Sequence, residues 1–395
     1  MPDPARHVPL REAPWSESDA AAAIDEIVAD ALAHFDAERF WPAHPQDDGI
    51  EDGHASGYCG ATGVIWAIDY LVRAGATAAK FDFGPLLPGL IEASRAELPG
   101  DDDYAVHGSL LFGELSAALT AMRLAPTEAI ADLIHARADA NNRLPLRELM
   151  WGTAGSMLAC VHMAAMTAEP CWQALFAAQA ARLLADLEET PDGPLWTQDL
   201  YGKHQRFLGP VHGYAGNMIA LMRGWDWLDA DQRARIAGAV PRTLAANAWR
   251  SELGATWHAV VERSKPPWLC QHCHGAPGMV TALADAPFGA PEFEELLREG
   301  GQFVWAAGPL AKGSNLCHGT GGNGYAFLKL YRRTKDPIWL ERAQAFAMTA
   351  IAQCREARAA LGRGRYSLWT GDIGLAVYLW DCITGEPHFP TIDVF

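Results

Sequence analysis

The sequence has 395 residues, half of them hydrophobic and a fifth charged, which is typical of a globular protein with a large core. Its 48 acidic and 31 basic residues give a formal net charge of −17, which disfavours nucleic-acid phosphates and anionic membrane surfaces as partners. No apolar run is long enough for a membrane span, and the first thirty residues carry no secretory signal. The eight cysteines are too sparse for a disulfide framework, so we expect a cytoplasmic protein that uses clustered cysteines for metal binding or catalysis.

Residues 1–50 show no repeat, and we predict that they form a helix, from about Ser18 to Ala37, and a loop packed on the rest of the protein. Residues 51–395 form a single domain in which glycine, two residues and a second glycine recur before long apolar stretches. In chain order the copies are Gly60-Ala-Thr-Gly63, a weaker copy that keeps only its second glycine as Gly113, Gly152-Thr-Ala-Gly155, Gly213-Tyr-Ala-Gly216, Gly275-Ala-Pro-Gly278, Gly319-Thr-Gly-Gly322 and Gly371-Asp-Ile-Gly374.

The spacing of these seven copies predicts an all-α fold. Each interval is long enough for two helices, and the sequence between the motifs is rich in Ala and Leu. A helical hairpin cannot bury both its faces alone, so the hairpins must stack. Seven of them can close into an α/α toroid, a double-layered helical barrel, with each glycine motif at the start of an inner helix. Glycine there permits a tight turn and leaves the first amide N–H groups free. An open helical array is the alternative.

Two motifs carry residues that suit a metal site. Cys273 and Cys317 each stand two positions before a motif glycine, and His318 follows Cys317. Equivalent positions in a ring meet around one opening, and two thiolates with one imidazole are good zinc ligands. We therefore predict one Zn²⁺ per chain, with a fourth position left for water or a substrate thiol. Alternatively, Cys270 supplies a fourth ligand and the site is closed and structural.

Three further residues near the motifs are candidates for catalysis. His212 lies immediately before Gly213, and an imidazole suits general acid–base chemistry near neutral pH, unless it is only structural. His274 follows a predicted ligand and is a candidate proton donor or a partner of the ligands. Glu148 precedes the third motif, where it can orient a base or a cationic substrate group.

Three basic residues lie just before motifs and are candidates for binding an anionic substrate. They are Lys203, Arg206 and Lys312. The alternative is that they are ordinary surface charges.

At these residues the sequence resembles the lanthionine synthetase C-like family, most closely its stand-alone LanC-like branch known from eukaryotes. The likeness runs from about residue 56 to residue 385. The segments that carry it are Glu148-Leu-Met-Trp-Gly-Thr-Ala-Gly155, Leu208-Gly-Pro-Val-His-Gly-Tyr-Ala-Gly216, Cys273-His-Gly-Ala-Pro-Gly278, Asn315-Leu-Cys-His-Gly-Thr-Gly-Gly-Asn-Gly-Tyr-Ala-Phe-Leu-Lys-Leu-Tyr331 and Tyr366-Ser-Leu-Trp-Thr-Gly-Asp-Ile-Gly374.

The resemblance implies the same toroid and the same three zinc ligands, with His212 in acid–base steps. It also implies an activity, the addition of a thiol to the β-carbon of dehydroalanine or dehydrobutyrine residues. The thiol is a cysteine of the same peptide in the cyclases and glutathione in the stand-alone branch. Lys312 then matches a basic residue that binds a glutathione carboxylate. A separate dehydratase or kinase is the partner that such an enzyme requires.

Some positions depart from the family pattern. Gln271 and His272 replace the tryptophan usually found before Cys273, and Leu269 replaces an arginine found in some cyclases. His274 stands where many cyclases have tyrosine, and Thr370 stands where the family has glutamate. Glu148 stands where cyclases often have aspartate. The changes at Leu269, Gln271, His272, His274 and Glu148 argue against peptide cyclisation, whereas Thr370 implies the loss of a contact with a phosphopeptide. Two other functions stay open, namely a non-catalytic zinc scaffold that binds peptides or glutathione, and a carbohydrate-active enzyme on a related six-hairpin toroid with paired carboxylates.

Overall fold

The computed structural model describes residues 3–47, 50, 52–98, 105–262 and 264–395. Fourteen α-helices occur in these residues, and they form two concentric layers. The inner layer contains α2 (Ala61–Arg73), α4 (Glu114–Leu124), α6 (Thr153–Thr167), α8 (Tyr214–Arg223), α10 (Ala276–Leu283), α12 (Thr320–Thr334) and α14 (Asp372–Thr384). Each packs against the next, and α14 packs against α2, so the ring is closed with seven members. The predicted α/α toroid is confirmed, and the six-hairpin alternative and the open array are both wrong.

The outer layer alternates with the inner one along the chain. It contains α1 (Glu17–Ala33), α3 (Leu87–Ala96), α5 (Glu128–Asn141), α7 (Pro170–Ala185), α9 (Ala230–Ala246), α11 (Pro291–Ala307) and α13 (Pro337–Leu361). The inner helices are buried on nearly every side, whereas the outer helices expose one face. Helix α1 packs against α14 and α13, so it is the outer partner of the last inner helix. It begins after the cap Ser16 and ends at Ala33, four residues earlier than predicted.

Every inner helix begins directly after a glycine, as the motifs predicted. A side chain on either motif glycine would collide with the loop that folds back over the helix start; at Gly155, for example, a Cβ would meet the carbonyl of Leu149. The weak second copy was misaligned, because Gly113 caps α4 and is therefore its first glycine. Ser116 stands in the place of the second.

The first amide groups of the inner helices are not free, contrary to our expectation. At five of the seven inner helices, the loop before the motif curls back so that a carbonyl seven residues earlier accepts the first helical N–H. This bond joins Ala61 N to His54 O at 2.8 Å and Tyr214 N to Phe207 O at 3.0 Å. The first N–H of α10, at Ala276, donates instead to the Thr256 hydroxyl at 3.1 Å. The glycine turn therefore satisfies the helix start within the chain and aims loop side chains, rather than backbone amides, at the mouth of the ring.

Three short β-hairpins supplement the helices. They pair β1 (Glu188–Thr190) with β2 (Gly193–Leu195), β3 (Gln198–Leu200) with β4 (Lys203–Gln205), and β5 (Trp249–Ser251) with β6 (Gly254–Thr256), all antiparallel. The turn between β3 and β4 places Tyr201 and Gly202 at φ of 54° and 70°, as a tight two-residue turn requires. This hairpin carries the predicted substrate-binding residue Lys203.

Residues 386–395 close the end of the ring opposite to the glycine loops. Asp393 forms ion pairs with Lys329 of α12 and Arg223 at the end of α8. Phe395 packs on Trp66 of α2, with ring centroids 6.0 Å apart. The mouth lined by the glycine loops is therefore the end of the ring that these residues leave uncovered. Within the part of the chain that the structure describes, no helix has the length and apolar character needed to cross a membrane.

Candidate functional site

The loops before the inner helices are joined to one another by backbone hydrogen bonds around the mouth. The N–H of Cys273 donates to the carbonyl of Cys317 at 3.1 Å. Cys317 in turn donates to Trp369 at 2.9 Å, and Trp369 donates to Tyr58 at 3.0 Å. Tyr58 donates to Leu111 at 2.9 Å. Loops that are distant in sequence thus form one rigid rim, and side chains at equivalent positions lie side by side.

Cys273, Cys317 and His318 lie together on this rim. Both thiols are nearly buried, with exposed fractions of 8% and 4%. The Cys273 thiol and the His318 imidazole are both hydrogen-bonded to the Cys317 sulfur. The Asn315 side chain accepts the N–H of His318 at 3.0 Å and fixes the loop that carries it. Cys273 and His318 therefore both contact Cys317.

The electrostatics of this cluster favour a thiolate at Cys317. Hydrogen bonds from Cys273 and His318 hold the pKa of Cys317 well below its usual range, against the effect of burial. The pKa of Cys273 is raised because it is hydrogen-bonded to Cys317 and buried. The pair thus shares one proton, and removing that proton would leave two thiolates beside an imidazole. That is a donor set which zinc prefers.

No group of three or more His, Cys, Asp or Glu side chains in the described ranges is already arranged to hold a metal ion. The donor chemistry of Cys273, Cys317 and His318 nevertheless fits zinc, because two soft sulfurs and one nitrogen are in mutual contact with a proton to release. Cys270 does not join them. Its sulfur has no hydrogen-bond partner among the described residues, and burial raises the pKa of its thiol to about 12.

His212 lies on the rim at the position that corresponds to His274 and His318. Its Nδ1 is 2.9 Å from Oε2 of Glu148, and its backbone carbonyl accepts from the Gln198 side chain at 2.7 Å. Its ring meets that of Tyr201 edge-on, with centroids 5.2 Å apart. The bond to the carboxylate gives Nδ1 the proton in the neutral ring, so Nε2 is the atom left for proton transfer.

Glu148 is fully buried, whereas His212 keeps 17% of its side chain exposed. The carboxylate also accepts the backbone N–H groups of Met150 at 3.0 Å, Gly152 at 2.7 Å and Trp151. It therefore caps the loop before α6 and orients His212 at the same time. Of the two roles considered from the sequence, orienting a base matches this position, and contact with a cationic substrate group does not.

A row of aromatic rings follows the rim between His212 and the cysteines. Trp151 donates from its indole nitrogen to the Tyr201 hydroxyl at 2.9 Å and stacks on Phe112, with centroids 4.9 Å apart. Phe112 stacks on Tyr58 at 5.2 Å, and Tyr58 stacks on Trp369 at 5.7 Å. The mouth is thus apolar between its polar residues.

His274 is largely buried beside Cys317 and near His212. Burial lowers the pKa of His274, and the nearby Cys317 opposes that shift. Its Nδ1 has no hydrogen-bond partner within the described residues. His274 is therefore neutral at physiological pH and lies between the thiols and the candidate acid.

The three predicted substrate-binding cations differ in their surroundings. Lys203 is exposed beside the Tyr201 turn. Arg206 is bound within the chain, donating to Thr197 at 3.0 Å and to Glu188 at 3.2 Å. That ion pair engages its charge and weakens the prediction that it binds substrate.

Lys312 is exposed beside a small cavity that it lines together with Ser314 and Asn315, close to the loop of Cys317. The lining also includes His44, Gln46, Arg358, Arg363, Arg365, Thr370 and Asp372. Its three arginines are engaged within the chain, because Arg358 pairs with Asp30, Arg365 pairs with Asp47 and Arg363 donates to the Ala43 carbonyl at 2.7 Å.

Sequence reasoning missed two residues that contact the thiols. The hydroxyl of Tyr58 donates to the Cys317 sulfur at 2.8 Å, and the side-chain amide of Gln271 donates to the Cys273 sulfur at 2.9 Å. A signal for Tyr58 was present, because it stands two positions before Gly60, as the two cysteines stand before their own glycines. Gln271 was noticed only as a departure from the family pattern.

A family model described as lanthionine synthetase C-like protein matches residues 112–394, well over half of the chain. The chain belongs to the lanthionine synthetase C-like family. "Glutathione S-transferase LANCL1" of Danio rerio is 36% identical over 129 residues, 32% of this chain and 32% of that protein. "LanC-like protein GCL1" of Arabidopsis thaliana is 41% identical over 206 residues, 49% of this chain and 45% of that protein. The matched stretches thus span less than half the length of either relative.

The fold of this LanC-like protein is also that of a solved structure. "Nisin cyclase" superposes with a TM-score of 0.64, over 91% of this chain and 93% of that chain, at 13% sequence identity. At that identity the similarity establishes the toroid and nothing finer.

Proposed function

We propose that this LanC-like protein adds a thiol to the β-carbon of dehydroalanine or dehydrobutyrine residues, with zinc as its cofactor. The observation that carries the proposal is the juxtaposition, on one rim, of a buried Cys273–Cys317 pair and a His212 held by Glu148. A thiol-addition site needs a place that favours thiolate and an acid to protonate the product, and the rim offers both.

Cys273, Cys317 and His318 are the residues that would hold the zinc ion. A zinc ion with three protein ligands keeps a position for an incoming thiol and favours its thiolate form. Every other part of the reaction depends on the residues of the chain.

The incoming sulfur forms a bond to the β-carbon, and the electron pair of the carbon–carbon double bond moves onto the α-carbon and its carbonyl as an enolate. His212 takes up at Nε2 the proton that the incoming thiol loses and gives it to the α-carbon, so the thiol is added across the double bond without a leaving group. Glu148 holds the His212 ring in position through the hydrogen bond at Nδ1. His274 lies near both groups and is a second candidate for moving the proton.

Cationic side chains at the mouth would assist binding. Lys203 is exposed next to the Tyr201 turn and is the better candidate for steadying enolate charge, since Arg206 is already paired with Glu188. Lys312, which is exposed beside a small cavity near the Cys317 loop, is the candidate for binding a carboxylate of glutathione. We propose glutathione rather than a cysteine of the same peptide as the thiol, because the relative from Danio rerio bears the name of a glutathione transferase.

The acceptor is a peptide or protein in which a dehydratase, or loss of a phosphate placed by a kinase, has already formed the dehydroamino acid. All eight cysteines are free thiols in the structure. Free thiols are typical of a reducing compartment, so we propose that the protein works in the cytoplasm.

Mass spectrometry of a synthetic dehydroalanine peptide, incubated with glutathione and the zinc-loaded protein, tests this function. We expect a mass gain equal to one glutathione, above the slow uncatalysed rate. If the wild type retains its zinc but does not accelerate the addition, the protein is a non-catalytic zinc scaffold and not an enzyme.

A further inference from the structure

Each of the two thiols at the candidate metal site receives a hydrogen bond from a neutral side chain. The Tyr58 hydroxyl donates to Cys317 Sγ at 2.8 Å, and Gln271 Nε2 donates to Cys273 Sγ at 2.9 Å. The two donors come from different loops of the ring, 213 positions apart in sequence. Each sulfur therefore has one neutral hydrogen-bond donor of its own.

Both donors are held in place by further contacts. The ring of Tyr58 is stacked between Phe112 and Trp369, at centroid distances of 5.2 and 5.7 Å. These contacts do not depend on the hydroxyl, so a phenylalanine would keep the same ring position. The hydroxyl is thus free to serve the sulfur alone.

Gln271 is oriented from the other side by the N-terminal segment. Its Oε1 accepts a hydrogen bond from Arg6 Nη2 at 2.9 Å, which turns the amide nitrogen toward Cys273. The Arg6 guanidinium lies over the ring of Trp268, 5.0 Å from its centroid. A chain of contacts therefore runs from Arg6 through Gln271 to the sulfur.

The proposed reaction explains why hydrogen bonds to these two sulfurs would be needed. An acceptor that reacts with a bound thiol can also react with any other thiolate beside it. Attack by Cys273 or Cys317 would form a bond from its sulfur to the acceptor β-carbon, and the α-carbon would take up a proton. The product would be an inactive protein–peptide adduct. A hydrogen bond to a thiolate withdraws electron density from sulfur and makes it a weaker nucleophile, because the bond must be broken or weakened in the attack.

We infer that Tyr58 and Gln271 are positioning residues that suppress attack by the protein's own sulfurs, so that the incoming thiol is the one that reacts. This inference rests on the proposed function for its purpose, although the protection of the two sulfurs can be measured without that reaction. The donors are neutral, so they restrain the sulfurs without removing the negative charge that a metal ion attracts. Each donor protects its own cysteine.

Alkylation by N-ethylmaleimide tests the inference on the full chain. The variants Tyr58→Phe and Gln271→Leu remove one donor each. Their matched controls are Tyr378→Phe, which removes a buried hydroxyl that donates to Ala343 O, and Gln179→Leu, which removes a buried amide that donates to Ala138 O. The rate of modification is followed by mass spectrometry in the zinc-loaded protein, in which both sulfurs would be thiolates, and peptide mapping assigns it to Cys273 or Cys317.

We expect a site-specific pattern. Tyr58→Phe should raise the alkylation rate of Cys317 several-fold over that of Cys273, and Gln271→Leu should do the reverse. Arg6→Ala should resemble Gln271→Leu with a smaller effect, because it releases the amide without deleting it. The two controls should leave both rates as in the wild type. Unchanged rates, or an equal rise at both cysteines that reflects general loosening, would overturn the inference.

A second incubation separates this inference from the proposed function. The dehydroalanine peptide is mixed with each variant without glutathione, and the mass of the whole protein is measured. A gain of one peptide mass on the mapped cysteine, greater in the variants than in the wild type, supports the inference. If the wild type adds glutathione to the peptide but the variants show no site-specific modification, only the inference fails. If the maleimide pattern holds but no glutathione is added, only the proposed function fails.

Discussion

The Glu148 carboxylate accepts a hydrogen bond from the His212 imidazole at 2.9 Å while it caps the loop that leads into α6. One buried group thus serves both the fold and the orientation of the candidate acid. Its substitution should therefore affect stability and turnover together.

Glu148→Gln should lower kcat by about 10- to 100-fold and the free energy of unfolding by about 1–3 kcal/mol. The amide would bring an N–H group against backbone N–H groups that now donate to a carboxylate. Steady-state rates of glutathione addition and urea unfolding measure the two effects. Glu114→Gln is the control, because Glu114 is also fully buried and pairs with Arg95 and Arg137 instead of a histidine. Equal kcat values for the two variants would show that the contact with His212 is only structural.

His212→Asn should reduce kcat by about 10²- to 10⁴-fold, the usual contribution of a general acid or base, while the zinc content stays that of the wild type. The asparagine amide can still donate to Glu148, so the loop should keep its shape. Single-turnover rates with the dehydroalanine peptide measure the loss. A variant with undiminished kcat would remove His212 from the mechanism.

Lys312→Ala should raise KM for glutathione by about tenfold, since one charge-assisted hydrogen bond to a carboxylate contributes roughly 1.5 kcal/mol or more. kcat at saturating glutathione should change little, because Lys312 lies beside the cavity near Ser314 and not at the reacting atoms. Lys80→Ala, at an exposed lysine of another loop, is the matched control. If both variants keep the KM of the wild type, the carboxylate is bound elsewhere.

The stability of the ring should depend on Asp285, which lies at the closed end. Asp285 contacts Lys329 at 2.5 Å, Arg223 at 3.0 Å and Arg332, and these cations hold the pKa of its carboxyl well below the usual range, against the effect of burial. A carboxyl whose pKa is lower in the folded state stabilises the fold above its unfolded pKa of about 4, and this stabilisation is lost as the pH falls below that value.

Asp285→Asn should therefore lower the free energy of unfolding by about 3 kcal/mol at pH 7, with a smaller difference from the wild type at pH 3. Urea unfolding of both proteins at a series of pH values measures this difference in the free energy of unfolding. Asp132→Asn, at an exposed position of α5, should show no such dependence. A difference for Asp285→Asn that is the same at pH 3 and pH 7 would contradict the account.

Much of the fold followed from the sequence because one physical requirement recurs in it. A loop that curls over each inner helix leaves no room for a Cβ, so glycine returns at every turn of the ring and makes the repeat visible. In the second copy, Ser116 stands in place of the second glycine. Its side chain fits because the residue of the neighbouring loop that faces it is itself a glycine, Gly57. The three β-hairpins were not predicted, since strands of three residues carry no readable alternation.

The candidate site was predictable where equivalence in the ring applied. Cys273, Cys317, His318 and His212 lie on one rim because their motifs are equivalent. The contacts that tune them were not predictable, because they join loops far apart in sequence. Nothing local shows that Glu148 is buried against His212, or that Arg206 is engaged by Glu188. Such pairings depend on side-chain geometry, which the repeat does not encode.

The central claim is that Cys273, Cys317 and His318 hold one zinc ion, and zinc content by elemental analysis tests it most directly. The wild type is compared with Cys273→Ala and with Cys270→Ala, a control that removes a buried thiol three residues away. We expect one zinc per chain in the wild type and in Cys270→Ala, and none in Cys273→Ala. Zinc absent from the wild type, or retained in full by Cys273→Ala, would contradict the account.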